Sequence, residues 1–209
     1  MRPPETGARG PGARVILGID PGLNATGYGV IAVSGQRLAL VTAGEIRPPR
    51  GRPLPERLQH LHRALSELLK RQQPDAVILE MVFTHDDYVN TAALMAHARG
   101  VACLAAQQHG AALVEYPPAR VKKALTGHGA ATKDQVARMV VQWLGCANPG
   151  WSFDATDALA LAIAHAHMAG SPHLSVRRRR TRQVPAALHG LLMAGRRQVG
   201  GQAARWGAK

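Results

Sequence analysis

Aromatic residues are scarce in this chain, which has 2 Phe, 3 Tyr and 3 Trp among 209 residues. A core must therefore be built from Ala, Val, Leu and Ile. Cysteine is rarer still. Cys103 lies in an Ala-rich stretch and Cys146 near a helix end, and neither belongs to a Cys-x-x-Cys or Cys/His cluster. That spacing excludes a zinc ribbon or a disulfide framework and fits two reduced thiols in a cytosolic protein. The first residues lack the apolar segment of a secretory signal, and no uninterrupted apolar run approaches membrane-spanning length. The expectation is a soluble, cytoplasmic protein. Acids are also few, with 13 Asp and Glu against 26 Lys and Arg, for a formal charge of +13.

That charge is unevenly placed. From Ser171 to Lys209 there are nine basic residues and no acid, and residues 1–14 hold three Arg against Glu5. The tail thus carries +9 and the start +2, which leaves +13 − 9 − 2 = +2 for the body. A basic balance of this size suits a nucleic-acid partner. The expected organisation is a disordered extension over 1–13, one folded domain over 14–170, and a basic, disordered tail over 171–209.

Within the body, apolar runs and turn signals alternate. Strands are expected at 15–20, 27–33 and 37–46, joined by turns at Pro21-Gly22 and Ser34-Gly35 that are short enough for antiparallel hairpins. Leu54, Leu58, Leu61, Leu65, Leu68 and Leu69 form one stripe of a helix that Gln73-Pro74 stops. The continuous apolar run 76–80 reads as a strand covered on both faces. Helices are expected at about 88–108, 118–125, 132–144 and 154–168, with a strand at 111–116 and Thr132 as an N-cap. This order predicts an α/β fold with a mixed five-stranded sheet, three antiparallel strands followed by parallel ones, flanked by helices.

Four acids stand where those elements begin or end. Asp20 closes the first strand and Glu80 the fourth, while Asp154 and Asp157, spaced i, i+3, share one side at the start of the last helix. Each has an ordinary reading alone: an Asx-type turn acid, a strand end reaching solvent, a helix cap and a first-turn acid. Strand ends and helix starts nevertheless gather along one edge of an α/β sheet. Gathered carboxylates repel one another unless a hard divalent cation lies between them, and such sites suit Mg²⁺ bound to phosphate. Taken together, the four acids are expected to bind metal.

The chain from Val15 to Met168 resembles the RuvC family of Holliday-junction-resolving endonucleases, within the ribonuclease H/integrase superfamily. The matching segments are Gly18-Ile19-Asp20-Pro21-Gly22 with Thr26-Gly27-Tyr28-Gly29, then Leu79-Glu80-x-x-Phe83, and Ala98-Arg99-Gly100. They continue through Val121-Lys122, Gly127-x-Gly129 with Lys133-x-Gln135-Val136, and Asp154-Ala155-x-Asp157-Ala158-Leu159-Ala160. The resemblance implies a ribonuclease H-like fold in which Asp20, Glu80, Asp154 and Asp157 are catalytic and hold two Mg²⁺, with Mn²⁺ as a substitute. Some family members carry His at the position of Asp154. It further implies DNA contacts by Lys122 and Lys133, with Arg120 and Lys123 beside the first of these and Phe83 stacking on an opened base. The implied partners are four-way junction DNA, a second copy of the chain in a homodimer, and the RuvA–RuvB branch-migration complex.

Two other functions are compatible with parts of the sequence. Ile19-Asp20-Pro21-Gly22 before hairpin strands also resembles the phosphate loop of actin-like and sugar-kinase ATPases, but those need two such domains and a second phosphate motif. A non-catalytic DNA binder acting through the basic tail would need neither Glu80 nor Asp157. His165 and His167, two apart on a helix, do not share a face and argue against a joint metal site.

Overall fold

The computed structural model describes residues 12–81, 89–146 and 150–170, and their side chains apart from those of 89–91 and 170. These residues belong to the first of two compact units, Met1–Leu174, while the second, Ser175–Lys209, lies outside the described residues. The expected terminal extension and tail fall almost wholly outside them as well.

Three strands open the body: β1 (Arg14–Asp20), β2 (Thr26–Ser34) and β3 (Arg37–Ile46). They form an antiparallel meander, with Gly35 at φ +58° in the two-residue turn between β2 and β3. There follow α1 (Leu54–Gln72), β4 (Ala76–Glu80), α2 (Val89–Gln108) and β5 (Ala112–Tyr116). Three helices complete the body: α3 (Pro118–Thr126), α4 (Lys133–Leu144) and α5 (Phe153–Gly170). The strand order is β3-β2-β1-β4-β5, with β4 parallel to both β1 and β5. This is the mixed five-stranded sheet expected from the sequence, with element ends within one or two residues of those anticipated.

Alternation along the central strands divides the core in two. Val15, Leu17, Ile19, Val77 and Leu79 face α1 and α2, meeting Leu61, Leu65, Leu68 and Leu69 and the small Ala98, Ala102, Ala105 and Ala106. Ile16, Ile31, Ile78 and Tyr116 face the opposite side, packing with Leu159, Ile163, Val121, Val136 and Val140 of the last three helices. Ala102 and Ala105 of α2 are buried inside this chain's own core.

Local signals set the helix starts. Thr132 caps α4, its Oγ1 accepting from the Gln135 N–H (3.3 Å) while the Gln135 side chain accepts from the Thr132 N–H (2.8 Å). At α5 the cap is Ser152, whose Oγ accepts from the Ala155 N–H at 3.2 Å. Asp154 is therefore not the cap of its own helix, and its carboxylate is left for other work.

Candidate active site

Strand pairing lines up one transverse row across the end of the sheet. Glu45 pairs with Gly27 and Gly27 with Asp20. Asp20 and Glu80 each follow the paired Ile19 and Leu79 on parallel strands, and Glu80 pairs with Tyr116. Directly paired residues project to the same face of a sheet. Three acids from three strands thus share the face covered by α5.

Glycine decides how closely α5 approaches that face. A Cβ on Gly27 would lie 2.0 Å from the Asp154 carbonyl oxygen, one on Gly18 1.9 Å from that of Ala158, and one on Gly29 2.7 Å from the Leu159 side chain. Real side chains there would lift the helix away. With glycine, the first turn of α5 rests on β1 and β2 and carries Asp154 and Asp157 over the strand ends.

The result is a cleft of about 360 Å³ whose walls include Asp20, Glu80 and Asp157, with Lys122 from α3, Lys133 from α4 and Met95 from α2. Asp154 is not among its lining residues. It stands at the β3 side, where Glu45 and Arg47 act on its carboxylate. The Lys133 ammonium is 3.5 Å from Asp157 Oδ2.

The electrostatics are those of crowded anions. Burial first, then Asp157, Asp154 and Glu80, push the Asp20 pKa up to about 7, with Lys133 opposing. Glu80 is raised by burial and by Asp157, against Lys122 and Lys133, and Asp154 is raised by burial and by Glu45. Such a set is costly to ionise by itself and offers hard oxygen donors, so it fits divalent metal chemistry. Among the described residues no group of three or more acidic, histidine or cysteine side chains is arranged so as to hold a metal ion.

Of the expected DNA contacts, Lys122 and Lys133 line the acid cleft. Lys123 is exposed on α3, and the exposed Arg120 lies over the Tyr116 ring, 5.4 Å from its centroid. Neither of these lines the cleft. Phe83 falls outside the described residues. The two histidines part company as expected. His165 is buried, hydrogen-bonded through Nδ1 to the Tyr116 hydroxyl at 2.8 Å, and its pKa is lowered to about 4 by burial and by Arg14. His167 turns toward the Ala124 carbonyl and stands edge-on to Trp143.

Sequence reasoning missed Glu45 and Arg47. Glu45 pairs with Arg47 and keeps one buried oxygen without a hydrogen-bond partner among the described residues, in the same row as Asp20. Its signal was the strand register, which only pairing reveals.

A mixed sheet of this order, with strand-end acids roofed by the first turn of a helix, defines a ribonuclease H-like protein. Comparison narrows the class: the model of the crossover junction endodeoxyribonuclease RuvC family matches residues 16–165. The chain belongs to the RuvC family, a family of metal-dependent nucleases. It is 45% identical over 165 residues to the RuvC of Rhodopirellula baltica, covering 79% of this chain and 93% of the relative. It is likewise 45% identical to the RuvC of Azorhizobium caulinodans over 155 residues, 74% of this chain and 90% of that one. Among solved structures, Thermus thermophilus RuvC in complex with a Holliday junction substrate superposes with a TM-score of 0.70 at 35% identity, covering 75% of this chain and 95% of that one. The yeast mitochondrial Holliday junction resolvase Ydc2 shares the fold alone, with a TM-score of 0.52 at 12% identity over 73% of this chain and 78% of that one.

Proposed function

We propose that this chain is a Holliday junction resolvase, an endonuclease that places paired, symmetric nicks in four-way DNA junctions and leaves 5′-phosphate and 3′-hydroxyl ends. The observation that carries this reading is the row of Asp20 and Glu80 on adjacent parallel strands beneath Asp154 and Asp157, in a chain of the RuvC family.

Asp20, Glu80 and Asp157 would hold the metal, two Mg²⁺ or in their place Mn²⁺, with Asp154 completing the set from the rim. When bound, such a pair acidifies the attacking water and stabilises the leaving 3′ oxygen. The chain's own groups do the rest. Lys122 and Lys133 face the acids across the cleft and neutralise a phosphate lying between. Met95, Val121 and Leu161 give that cleft apolar walls, which strengthen each charge interaction inside it. Arg120 and Lys123, exposed on α3, extend the positive rim along the entering strand.

A junction of approximate two-fold symmetry is matched by a two-fold homodimer, which presents one acid cleft to each strand cut. Leu94 and Leu104 on α2 and Leu113 on the edge strand β5 are exposed apolar residues that suit such a contact. RuvA–RuvB is the partner this reading implies. Placement in the cytoplasm fits a DNA-acting protein in which no described helix is long and apolar enough to cross a membrane.

The test is cleavage of a mobile four-way junction beside a linear duplex of the same sequence, with and without Mg²⁺ or Mn²⁺, and with the ends mapped. Paired nicks at symmetric positions, confined to the junction and dependent on metal, are expected. Nucleotide hydrolysis without cutting would favour the ATPase alternative, and binding without cutting a structural DNA binder.

A further inference from the structure

The acid cleft has two flanks, and the site described so far uses one. Lys122 and Lys133 stand on the α3–α4 flank. On the other, β3 runs in the same direction as β1, since each is antiparallel to β2. The chain that leaves β3 after Ile46 therefore emerges at the edge of the sheet where Asp20 and Glu80 end. It reads Arg47-Pro48-Pro49-Arg50-Gly51-Arg52-Pro53, three cations within six residues.

All three arginines are exposed. The Arg47 side chain is 58% exposed, while its partner Glu45 is 13% exposed, so the carboxylate anchors one edge of the guanidinium and leaves the other donors to solvent. Arg47 is near enough to the site to act on Asp154. Arg52 stands 3.8 Å from Glu56 in an open pair, and such pairs hold weakly against a phosphate. Arg57 ties this loop's helix to the turn after Asp20, donating to the Leu23 carbonyl at 2.9 Å and to Asn24 Oδ1 at 3.0 Å. One residue before Asp154 is Phe153, 65% exposed at the first position of α5. In a chain with two phenylalanines, one is presented to solvent beside the acid site.

Cations spaced along a loop, together with an exposed aromatic ring one residue from the Asp154 on which Arg47 acts, are the combination that binds an unpaired nucleic-acid strand. We infer that Arg47, Arg50, Arg52 and Phe153 form a second DNA surface on the β3 side of the cleft, carrying the strand away from the acids. The arginines hold its phosphates and Phe153 stacks on a base exposed at the junction centre. This rests on the nuclease reading above, and the experiment separates the two.

The full chain is titrated onto a four-way junction without divalent metal at a series of salt concentrations. Arg47→Ala, Arg50→Ala and Arg52→Ala together should flatten the dependence of log affinity on log salt by about 0.9 for each phosphate left without its arginine. Because Arg47→Ala also strips Glu45 of its partner, the Arg50→Ala, Arg52→Ala double variant is measured in parallel and should flatten the slope by about two-thirds of the same amount. Replacing all three by lysine should restore the slope. Phe153→Ala should weaken binding about tenfold with the slope unchanged, and Phe153→Trp should keep it. Arg71→Ala, at the far end of α1 and so at the opposite edge of the sheet, is the control expected to match wild type. Arginine variants with the wild-type slope, or Phe153→Ala with wild-type affinity, overturn the inference while wild-type junction cutting leaves the nuclease reading intact. A wild-type chain that neither binds nor cuts the junction overturns both.

Discussion

Asp20 shows what a single carboxylate undergoes when it is placed among others. Its pKa stands at about 7 against an ordinary 3.8, from burial first and from Asp157, Asp154 and Glu80 after it. Between those values the folded, metal-free protein keeps a proton that the unfolded chain has released, so stability falls as pH rises through that window. Asp20→Asn removes the penalty. Its metal-free melting temperature should exceed that of wild type at pH 8, with the gap closing by pH 4, and equal melting at pH 8 would refute this electrostatic account. The same proton competes with a cation, so metal-dependent cleavage should decline toward acid pH, and the pH of that decline should move lower as the metal concentration is raised. In the cleavage assay Asp20→Asn should lose at least about a hundredfold while still binding the junction. Lys133 offers the contrasting case. Its pair with Asp157 is open to solvent, with side chains 70% and 34% exposed, and is worth little to stability. Lys133→Ala should melt slightly below wild type without metal, because the ammonium that opposes the raised pKa values of Asp20 and Glu80 is lost, and should cut about a hundredfold more slowly if its role is at the phosphate.

At the scale of elements, the site depends on how deeply α5 settles onto β1 and β2. Three glycines on one face leave room for its backbone, and Ser152 caps it so that Asp154 is free. A buried hydrogen bond between Tyr116 and His165 pins the same helix toward β5. Gly27→Ala places a methyl group 2.0 Å from the Asp154 carbonyl oxygen, with backbone on every near side. It should destabilise the protein by about 1–3 kcal/mol in denaturant unfolding, and weaken metal-dependent stabilisation with it. A variant that unfolds and binds metal like wild type would show that the close approach is dispensable. These glycines were visible in the sequence as Gly18 and Thr26-Gly27-Tyr28-Gly29, but nothing local said that a helix from 130 residues onward lies against them.

At the scale of the whole molecule, a two-fold partner and the charge of the tail would extend the reach of one cleft. If α2 and β5 form the dimer contact, Leu104→Asp, at a position 52% exposed, should leave the fold intact and yield a monomer by sedimentation, with junction nicks no longer paired. The tail carries nine cations and no acid. Deleting 171–209 should lower junction affinity and flatten its salt dependence without abolishing nicking. A truncated chain that folds and cannot cut would make the tail part of the catalytic apparatus.

Much of this protein follows from the order of its residues. Apolar periodicity determined each strand and helix to within a residue or two, since burial on one face or both imposes its period on the sequence. The four acids were legible because polar groups that close apolar runs stand out against them. What the linear order could not decide is which strand ends become neighbours. Glu45 and Asp20 are 25 residues apart and share a row because both strands pair with β2 at Gly27. The cleft, the raised pKa of Asp20 and the arginine flank beyond β3 all come from that register and from the depth of α5. Both are products of long-range pairing and packing, which no local propensity encodes.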